Sequence, residues 1–239
     1  MQRIKCIIAV GLLAINVQAL SYSQPQGQLV IQGGGFSSNT GKPQHIYINT
    51  LVGDQYTVTS KHDKKGLFGL SYLISGPNFK NVLISYGVSG FYFPKIKVNG
   101  DIIQENLFAN LGYSYEISQV PIYATTKAVI MNHSDQFGLT VDAGIGPNLI
   151  KTKTVNTWPI NGSNALPERV FSGRSNTAFS AMAGVGFRIN HVLGKFPLDC
   201  GYRYFYLGKG SFYKRSDEWL NTLSTGDNYA QAVICSVTV

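Results

Sequence analysis

Five charged residues stand on the small, polar side of segments whose other side is apolar: Lys127, Asp142, Arg188, Asp199 and Arg203. In the segment Leu198–Leu207, Asp199 and Arg203 alternate with Cys200 and Tyr202, which is the period-two repeat of a β-strand. Enclosed together, such charges should form ion pairs, because an unpaired buried charge is very costly. Along an open passage they would instead conduct ions. The sequence favours a paired network and leaves the ion path as the alternative.

Residues that could act as nucleophile and base meet in the sequence "NHSDQ", which contains His133, Ser134 and Asp135. Nucleophilic catalysis needs a base within hydrogen-bond reach of the nucleophile and a third group that orients the base. Consecutive residues in a tight turn rarely converge on one substrate atom, and turn chemistry explains Asn, Ser and Asp there. No Cys/His pair has the spacing of metal ligands, and the Gly-x-Gly pairs lack the third glycine of a nucleotide-binding loop. We therefore expect no enzyme activity, no metal and no cofactor.

The N-terminal segment "MQRIKCIIAVGLLAINVQA", residues 1–19, is predicted to be a cleavable signal peptide. Arg3 and Lys5 form a basic start, the apolar run Cys6–Ile15 follows, and "VQA" has the small-x-small pattern of a cleavage site. The apolar run is too short for a transmembrane helix, which needs about 20 residues. Residues 20–239 are then expected to form one all-β domain.

Charge and composition limit the class of partner. The chain carries a net charge of +8, but its cations are scattered over polar connecting segments. Neither a basic stripe nor a nucleic-acid-binding motif is present, so nucleic acid is not an expected partner.

Eight segments alternate apolar and polar residues strongly enough to predict β-strands. They are Gln28–Phe36, Leu67–Ser75, Val82–Phe93, Phe108–Ile130, Phe137–Ile150, Thr177–Asn190, Leu198–Leu207 and Tyr229–Val239. The connections between them are, in order, long, short, medium, short, long, short and long. Transmembrane barrels have short periplasmic turns and long outer loops, so the order of lengths predicts an up-and-down barrel.

The two faces of these segments differ in size and polarity. In Thr177–Asn190, for example, Phe179 and Phe187 share one face, and Gly184 and Arg188 share the other. If the small face were a soluble core, its voids would cost about a kilocalorie per mole or more each, and the apolar face would be a very large patch in water. The small face fits instead the interior of an eight-stranded barrel, which only just holds side chains. The sequence therefore predicts an all-β, eight-stranded antiparallel transmembrane β-barrel with an apolar exterior.

The segment Phe108–Ile130 departs from regular alternation. Up to Ile117 the apolar residues occupy one face, and from Ile122 onward they continue in the other phase. Two interpretations compete: one strand with a β-bulge near Ser118–Pro121, or two strands joined by a tight turn there. A proline cannot donate to a ladder and fits a bulge, and two strands would make the count odd, against the rule for bacterial barrels. The bulged strand is preferred.

Five tyrosines fall near the strand ends that adjoin long loops, and they are Tyr92, Tyr113, Tyr115, Tyr204 and Tyr206. Tyrosine collects where hydrocarbon meets headgroups, because its ring can lie in lipid while its hydroxyl remains in water. We expect these residues to form an aromatic girdle.

Cys200 and Cys235 lie on the outer faces of the last two strands, nearly equidistant from the centre of the hairpin. Directly opposed residues of an antiparallel pair are close enough for a disulfide, and the periplasm is oxidising. Two unbonded, lipid-facing cysteines are the favoured interpretation, and a disulfide is the alternative.

Three motifs carry a family resemblance: "AGIGPN" (Ala143–Asn148), "AGVGFRIN" (Ala183–Asn190) and "LDCGYRYFYLG" (Leu198–Gly208). In this order they resemble the eight-stranded outer-membrane β-barrel proteins of Gram-negative bacteria in the opacity-protein-like and surface-antigen group. The segment "YSYEI…KA" (Tyr113–Ala128) is similar to the central strand of surface proteins from intracellular Gram-negative pathogens. The resemblance covers about residues 28–239 and implies a location in the outer membrane. It departs from the group at Val239, because many such barrels end in Phe.

These observations together predict an outer-membrane surface protein with a plugged polar lumen, since eight strands leave little room for water. Its expected role is structural, or adhesion and host contact through the long outer loops. A narrow channel or small-ligand conduit is the alternative, and an outer-membrane enzyme is the third reading. The expected partners are outer-membrane lipid and lipopolysaccharide, the barrel assembly machinery, and a host or extracellular ligand at the loops.

Overall fold

The computed structural model describes residues 27–49, 51–59, 62–132, 136–160, 162–167, 170–193 and 196–239. The predicted signal peptide and the "HSD" triplet of the short turn lie outside these ranges. Within them, no helix is long and apolar enough to cross a membrane. The strands are β1 (Gly27–Asn39), β2 (Gln44–Ile46), β3 (Asp54–Tyr56), β4 (His62–Phe79), β5 (Val82–Gln104), β6 (Phe108–Met131), β7 (Phe137–Thr152), β8 (Asn156–Pro159), β9 (Phe171–Gly173), β10 (Ser175–Leu193), β11 (Phe196–Lys214) and β12 (Ser224–Thr238).

Eight long strands close into a barrel. Strands β1, β4, β5, β6, β7, β10, β11 and β12 each pair antiparallel with the next. Strand β12 then pairs back to β1, from Val30↔Thr238 to Asn39↔Tyr229. Closure leaves none of these eight strands with a free edge, which lipid requires because no water is present there to satisfy unpaired backbone groups. The prediction of an eight-stranded antiparallel up-and-down barrel is confirmed.

The outer face of the barrel is a broad apolar belt, on which Phe187 is 70% exposed. The apolar belt comprises Leu29, Ile31, Phe68, Leu70, Tyr72, Tyr86, Val88, Ile122, Ile130, Phe137, Leu139, Val141, Ile145, Leu149, Phe179, Val185, Phe187, Tyr202 and Val233. In water, such a surface would far exceed the few hundred Å² that soluble monomers tolerate, whereas acyl chains suit it. The belt therefore faces lipid.

Strand β6 is a single strand, as preferred, but the bulge predicted near Ser118–Pro121 is wrong. Odd-numbered residues face inward without interruption from Leu111 to Val129, and the pairing with β7 is continuous from Ile117↔Thr152 to Pro121↔Asn148. The register shift lies instead on the neighbouring strand β5, between Phe93 and Ile96. The apolar residues move from one face of β6 to the other because the surroundings of the strand change along its length. The upper part of β6 stands above the lipid, so its apolar side chains point inward, whereas in the lipid they point outward.

The barrel continues well beyond the belt. The predicted loop Pro94–Leu107 is strand as far as Gln104, and a tight turn follows in which Glu105 and Asn106 have φ values of 50° and 57°. Leu107 N donates to Gln104 O at 2.9 Å, as in a type I′ hairpin. Strands β2 and β3 extend β5, β8 extends β6, and β9 extends β11. We call these four short strands and the adjoining ends of β5, β6 and β11 the extracellular module, because long connections lie on the outer side of such barrels.

Two apolar cores follow from this extension. The lumen core lies inside the barrel and includes Phe91, Phe93, Tyr123, Met182 and Phe205. The module core lies within the extracellular module and comprises Ile46, Tyr56, Val98, Ile102, Leu111, Tyr113, Tyr115, Val155, Phe171, Phe212, Trp219 and Leu223. The long outer segments are thus largely packed structure.

Candidate functional site

The five charged residues named from the sequence lie together in the barrel interior, and we call them the charge network. Asp199 accepts hydrogen bonds from Lys127 Nζ at 2.5 Å and from Arg188, through Nε at 2.7 Å and Nη2 at 2.9 Å. Asp142 accepts from Arg203, whose Nε lies 2.9 Å from Oδ1 and whose Nη2 lies 3.0 Å from Oδ2. Each carboxylate is therefore paired in a site from which water is largely excluded, as a stable buried charge requires.

Close packing surrounds the charge network. A Cβ atom on Gly184 would lie 2.5 Å from Arg203 Cγ and 2.8 Å from Asp142 Oδ1, so glycine leaves the space that this ion pair occupies. Arg203 Nη1 also donates to Gln32 Oε1, and Gln32 Nε2 donates to Ser71 Oγ at 2.6 Å. The cavity that remains among these side chains has a volume of about 10 Å³, which is about the room that one water needs.

An aromatic layer crosses the lumen above the charge network, and it consists of Phe36, Phe91, Phe93, Tyr123 and Phe205. The Phe205 ring is fully buried, with its centroid 5.3 Å from that of Phe91 and 5.1 Å from that of Phe93, both edge to face. Phe36 meets Phe93 at 5.0 Å in the same way. Edge-to-face pairs at these distances are favourable.

Sequence reasoning missed the aromatic layer, because it treated the inward face as uniformly small. The signal that could have found it is the matching of small and large residues across strand pairs. Gly69 lies opposite Phe91 in the β4–β5 register, and a Cβ atom on Gly69 would lie 2.5 Å from the Phe91 ring. Small inward residues therefore make room for large inward neighbours, as the taper of a small barrel requires.

A polar layer separates the two cores. Asn148 Nδ2 donates to Gln119 Oε1 at 2.8 Å and to Leu207 O at 2.7 Å. Asn228 Nδ2 donates to Gly208 O at 2.8 Å and to Thr225 Oγ1 at 2.9 Å. These amides satisfy main-chain carbonyl groups where the barrel leaves the lipid.

Tyr113 and Tyr115 were expected in the aromatic girdle, and that placement is wrong. They are 1% and 3% exposed and point into the module core. Tyr113 Oη donates to Thr57 O at 2.7 Å, and Tyr115 packs edge to face on Phe212 with centroids 5.0 Å apart. The physical reason is that β6 has left the lipid at this height, so its apolar side chains must be enclosed by protein. Burial raises the pKa of both hydroxyls above the usual range of tyrosine.

The other three tyrosines named for the girdle point outward, near the upper edge of the apolar belt. Tyr92 and Tyr204 are exposed, and Tyr206 is half-buried. Tyr206 Oη donates to Asp227 Oδ1 at 3.1 Å, and its ring lies 5.5 Å from that of Tyr229. An outward ring whose hydroxyl is bound to a polar partner suits the boundary between hydrocarbon and headgroups.

Cys200 and Cys235 are directly opposed in the β11–β12 register, with Cα atoms 4.1 Å apart, and are joined by a disulfide. The favoured sequence interpretation of two unbonded cysteines is therefore wrong, and the alternative holds. The register explains the bond, because directly opposed residues of an antiparallel pair have the shortest Cα separation between two strands.

The membrane-distal end of the extracellular module carries exposed apolar side chains, of which Leu107 is 74% exposed and Phe108 64%. We call this set the tip patch, and it comprises Tyr47, Leu51, Val52, Leu107, Phe108 and Leu220. Hydrogen bonds fix the backbone beneath it: Val52 N donates to Glu105 Oε2 at 3.0 Å, and Leu220 N donates to Tyr47 O at 2.8 Å. The tip patch is thus an ordered apolar surface at the far end of the molecule.

Metal-ligating side chains do not cluster in the described part of the chain. No three His, Cys, Asp or Glu residues lie close enough there to hold a metal ion. His133, Ser134 and Asp135 are outside the described residues.

The fold and the surface together define the class of protein. A closed antiparallel barrel with an apolar belt, a polar interior and short connections at one end is the architecture of bacterial outer-membrane proteins. The chain is an outer-membrane β-barrel protein, in agreement with the location expected from the sequence.

Comparison with known proteins gives similar barrels. No protein-family model matches the sequence, and no curated protein matches it. OprG, an outer membrane protein of Pseudomonas aeruginosa, is 15% identical over 90% of this chain and 97% of that chain, with a TM-score of 0.48. Neisserial surface protein A is 10% identical over 89% and 98%, with a TM-score of 0.41. Ail, the attachment invasion locus protein of Yersinia pestis, solved with the heparin analogue sucrose octasulfate, is 15% identical over 90% and 99%, with a TM-score of 0.36.

Proposed function

We propose that this protein is a non-enzymatic surface protein that binds a macromolecular ligand outside the cell through the tip patch, on a barrel that does not conduct. The observation that carries the proposal is the position of the tip patch. Its large apolar side chains are exposed at the end of the molecule farthest from the lipid, where neither acyl chains nor the barrel itself can cover them.

Order in the tip patch supports a binding role. Apolar side chains exposed to water as a group are a mark of interaction surfaces. The hairpin turn at Glu105 and Asn106 and the hydrogen bonds to Val52 and Leu220 hold the patch in one conformation. A surface that is already ordered loses little conformational entropy on binding. The module core beneath it, with the Trp219 ring 6.0 Å from that of Phe171, supplies the rigidity.

The filled interior supports a barrel that does not conduct. The charge network, the aromatic layer and the polar layer follow one another along the lumen. The cavity of about 10 Å³ beside the charge network is far below the volume of a hydrated ion path. We expect planar bilayers containing the full barrel to show no stable open level. A reproducible unitary conductance would instead favour the narrow channel.

The proposed partners follow from the location and the tip. They are lipopolysaccharide around the belt, the assembly machinery that inserts the barrel, and an apolar surface on a host or extracellular protein at the tip patch. We also propose no enzymatic role, because turn chemistry accounts for the sequence "NHSDQ", which holds the candidate nucleophile and base. Residues 1–19 remain predicted as a cleavable signal peptide.

An attachment assay tests the tip. The protein is displayed on a laboratory Gram-negative strain, and attachment to cultured epithelial cells and to immobilised matrix proteins is counted. The double variant Leu107→Ser/Phe108→Ser removes two exposed apolar side chains, and we expect attachment affinity to fall about tenfold or more.

Leu166→Ser is the matched control, because Leu166 is also highly exposed but lies outside the tip patch. Surface display is measured in parallel by whole-cell antibody labelling. If the wild type confers no attachment, or if the double variant attaches as well as the wild type, the binding role is rejected.

A further inference from the structure

A cleft of about 590 Å³ opens on the outer wall of the barrel, on the side formed by β5, β6, β7 and β10. Four cationic side chains and one carboxylate line it, and we call it the cationic cleft: Lys97, Lys151, Lys153, Arg174 and Glu116. Hydroxyl-bearing residues complete the wall: Ser114, Thr152, Thr154, Ser172 and Ser175. Such a lining offers hydrogen-bond donors and positive charge in one concave place.

The cationic cleft is not neutralised by the protein. Its formal charge is +3, from four cations and the Glu116 carboxylate. Lys153 Nζ lies 2.8 Å from Glu116 Oε2, whereas Lys97, Lys151 and Arg174 make no ion pair among the described residues. Like charges held close together raise each other's energy unless a counter-charge is present. The cleft is therefore suited to an anion with several oxygen acceptors.

One cation of the cleft is held in position by its surroundings. The Arg174 guanidinium lies 4.8 Å from the centroid of the Tyr213 ring, a cation–π contact. Its backbone is fixed as well, because Arg174 N donates to Thr152 Oγ1 at 3.0 Å and Thr152 N donates to Arg174 O at 2.9 Å. A guanidinium presents a planar set of donors that matches phosphate oxygens.

The height of the cleft points to the source of the anion. Lys151 is the next outward residue after Leu149 of the apolar belt, so the two side chains are about 7 Å apart along the strand. Lys151 also lies opposite Ser118 on β6 and Ser175 on β10. A molecule whose acyl chains cover the belt at Leu149 would therefore place its headgroup inside the cleft.

We propose that the cationic cleft binds the phosphate group of an anionic glycolipid of the outer leaflet, with the acyl chains lying on the apolar belt below it. Lys97, Lys151 and Arg174 bind the phosphate oxygens, and the Lys153–Glu116 pair forms the wall of the site. This site is separate from the tip patch. The proposal rests on the location in the outer membrane. Loss of lipid binding at the cationic cleft leaves ligand binding at the tip patch intact, and the reverse.

Lipid binding by the purified full barrel in neutral detergent tests the proposal. Native mass spectrometry measures the occupancy of bisphosphorylated lipid A over a range of concentrations. Lys97→Gln/Lys151→Gln removes two exposed charges, and we expect the affinity for lipid A to fall about thirtyfold. Lys42→Gln/Lys64→Gln is the matched control, because it makes the same charge change at two exposed lysines that do not line the cleft. We expect the control to bind like the wild type.

Two further probes identify the source of the phosphate. Lipid A with both phosphates removed should bind at least tenfold more weakly than the bisphosphorylated form. Inorganic pyrophosphate should bind much more weakly than lipid A, because it gains nothing from the belt. Equal losses in the two double variants, or undiminished binding of dephosphorylated lipid A, overturn the site. Pyrophosphate binding as tight as that of lipid A overturns the membrane source. Both double variants must show the wild-type shift between unheated and boiled gel bands, which establishes that the barrel is folded.

Discussion

Asp199 compensates two of the three cations in the barrel interior, which makes Asp199→Asn the most informative single change in this molecule. Lys127 Nζ lies 2.5 Å from its Oδ2, and Arg188 donates to both of its oxygens. The Asp199 side chain is only 5% exposed, so water cannot replace the lost negative charge. Asparagine has nearly the same size, which restricts the change to charge.

The expected cost follows from the burial of the pair. Removing one partner of a buried ion pair costs about 3–5 kcal/mol, because the remaining charge is left uncompensated. For Asp199→Asn we expect about 4 kcal/mol, which is roughly a thousandfold in the unfolding equilibrium constant. Lys127→Met should cost less, because the charge network would then contain two cations and two carboxylates and the Arg188–Asp199 pair would remain.

Equilibrium unfolding in urea, with the barrel inserted in lipid vesicles and followed by tryptophan fluorescence, measures these differences. Asp63→Asn is the control, since Asp63 pairs with Lys65 at 3.6 Å on the exposed surface, where a pair contributes about 1 kcal/mol or less. An Asp199→Asn barrel within about 1 kcal/mol of the wild type, or a Lys127→Met barrel less stable than Asp199→Asn, would refute the reasoning.

Three further outcomes are expected. Thiol titration of the unfolded, unreduced chain lacking residues 1–19 should find no free thiol, and two free thiols would contradict the disulfide. The double variant Cys200→Ser/Cys235→Ser should lose about 4 kcal/mol of stability, because the bond closes a separation of 35 residues. Phe205→Ala should cost about 3–5 kcal/mol in the same urea assay, because the fully buried ring packs on Phe91 and Phe93; a loss below about 1 kcal/mol would mean that the aromatic layer is not close-packed. Gly184→Ala should destabilise the barrel, because its Cβ would lie 2.5 Å from Arg203 Cγ, whereas Gly33→Ala, where a Cβ would meet nothing within 4 Å, should be neutral.

The part of the barrel that lies in lipid could be predicted from the sequence. Alternation identified all eight long strands, and the choice of the small face as the interior placed Asp142 and Arg188 in the lumen. The reason is physical: in lipid the large apolar face of each strand must point outward, toward the acyl chains. Period two then assigns each side chain to a face without knowledge of its partners.

The part above the lipid could not be predicted in the same way. Alternation continues through Ile96, Val98 and Ile102 on β5, but there the apolar face is the inner one. Because the rule for choosing the inner face reverses at the membrane surface, Tyr113 and Tyr115 were assigned to the wrong side. The pairing of the charges could not be predicted from the sequence either. Lys127 lies opposite Asp142 in register, yet its ammonium group binds Asp199, because Arg203 is already paired with Asp142.

The length of the β5–β6 hairpin determines how far the molecule reaches into the medium. From Val120, at the upper edge of the belt, to Phe108 the strand rises about 40 Å, or about 30 Å along the membrane normal at an ordinary barrel tilt. Phe108 and Leu107 therefore stand clear of the lipid headgroups and of the inner sugars attached to them. A neighbouring cell surface can meet them before it meets the bacterial lipid, and removing two residues from each strand of the hairpin would lower that point of first contact by about 5 Å.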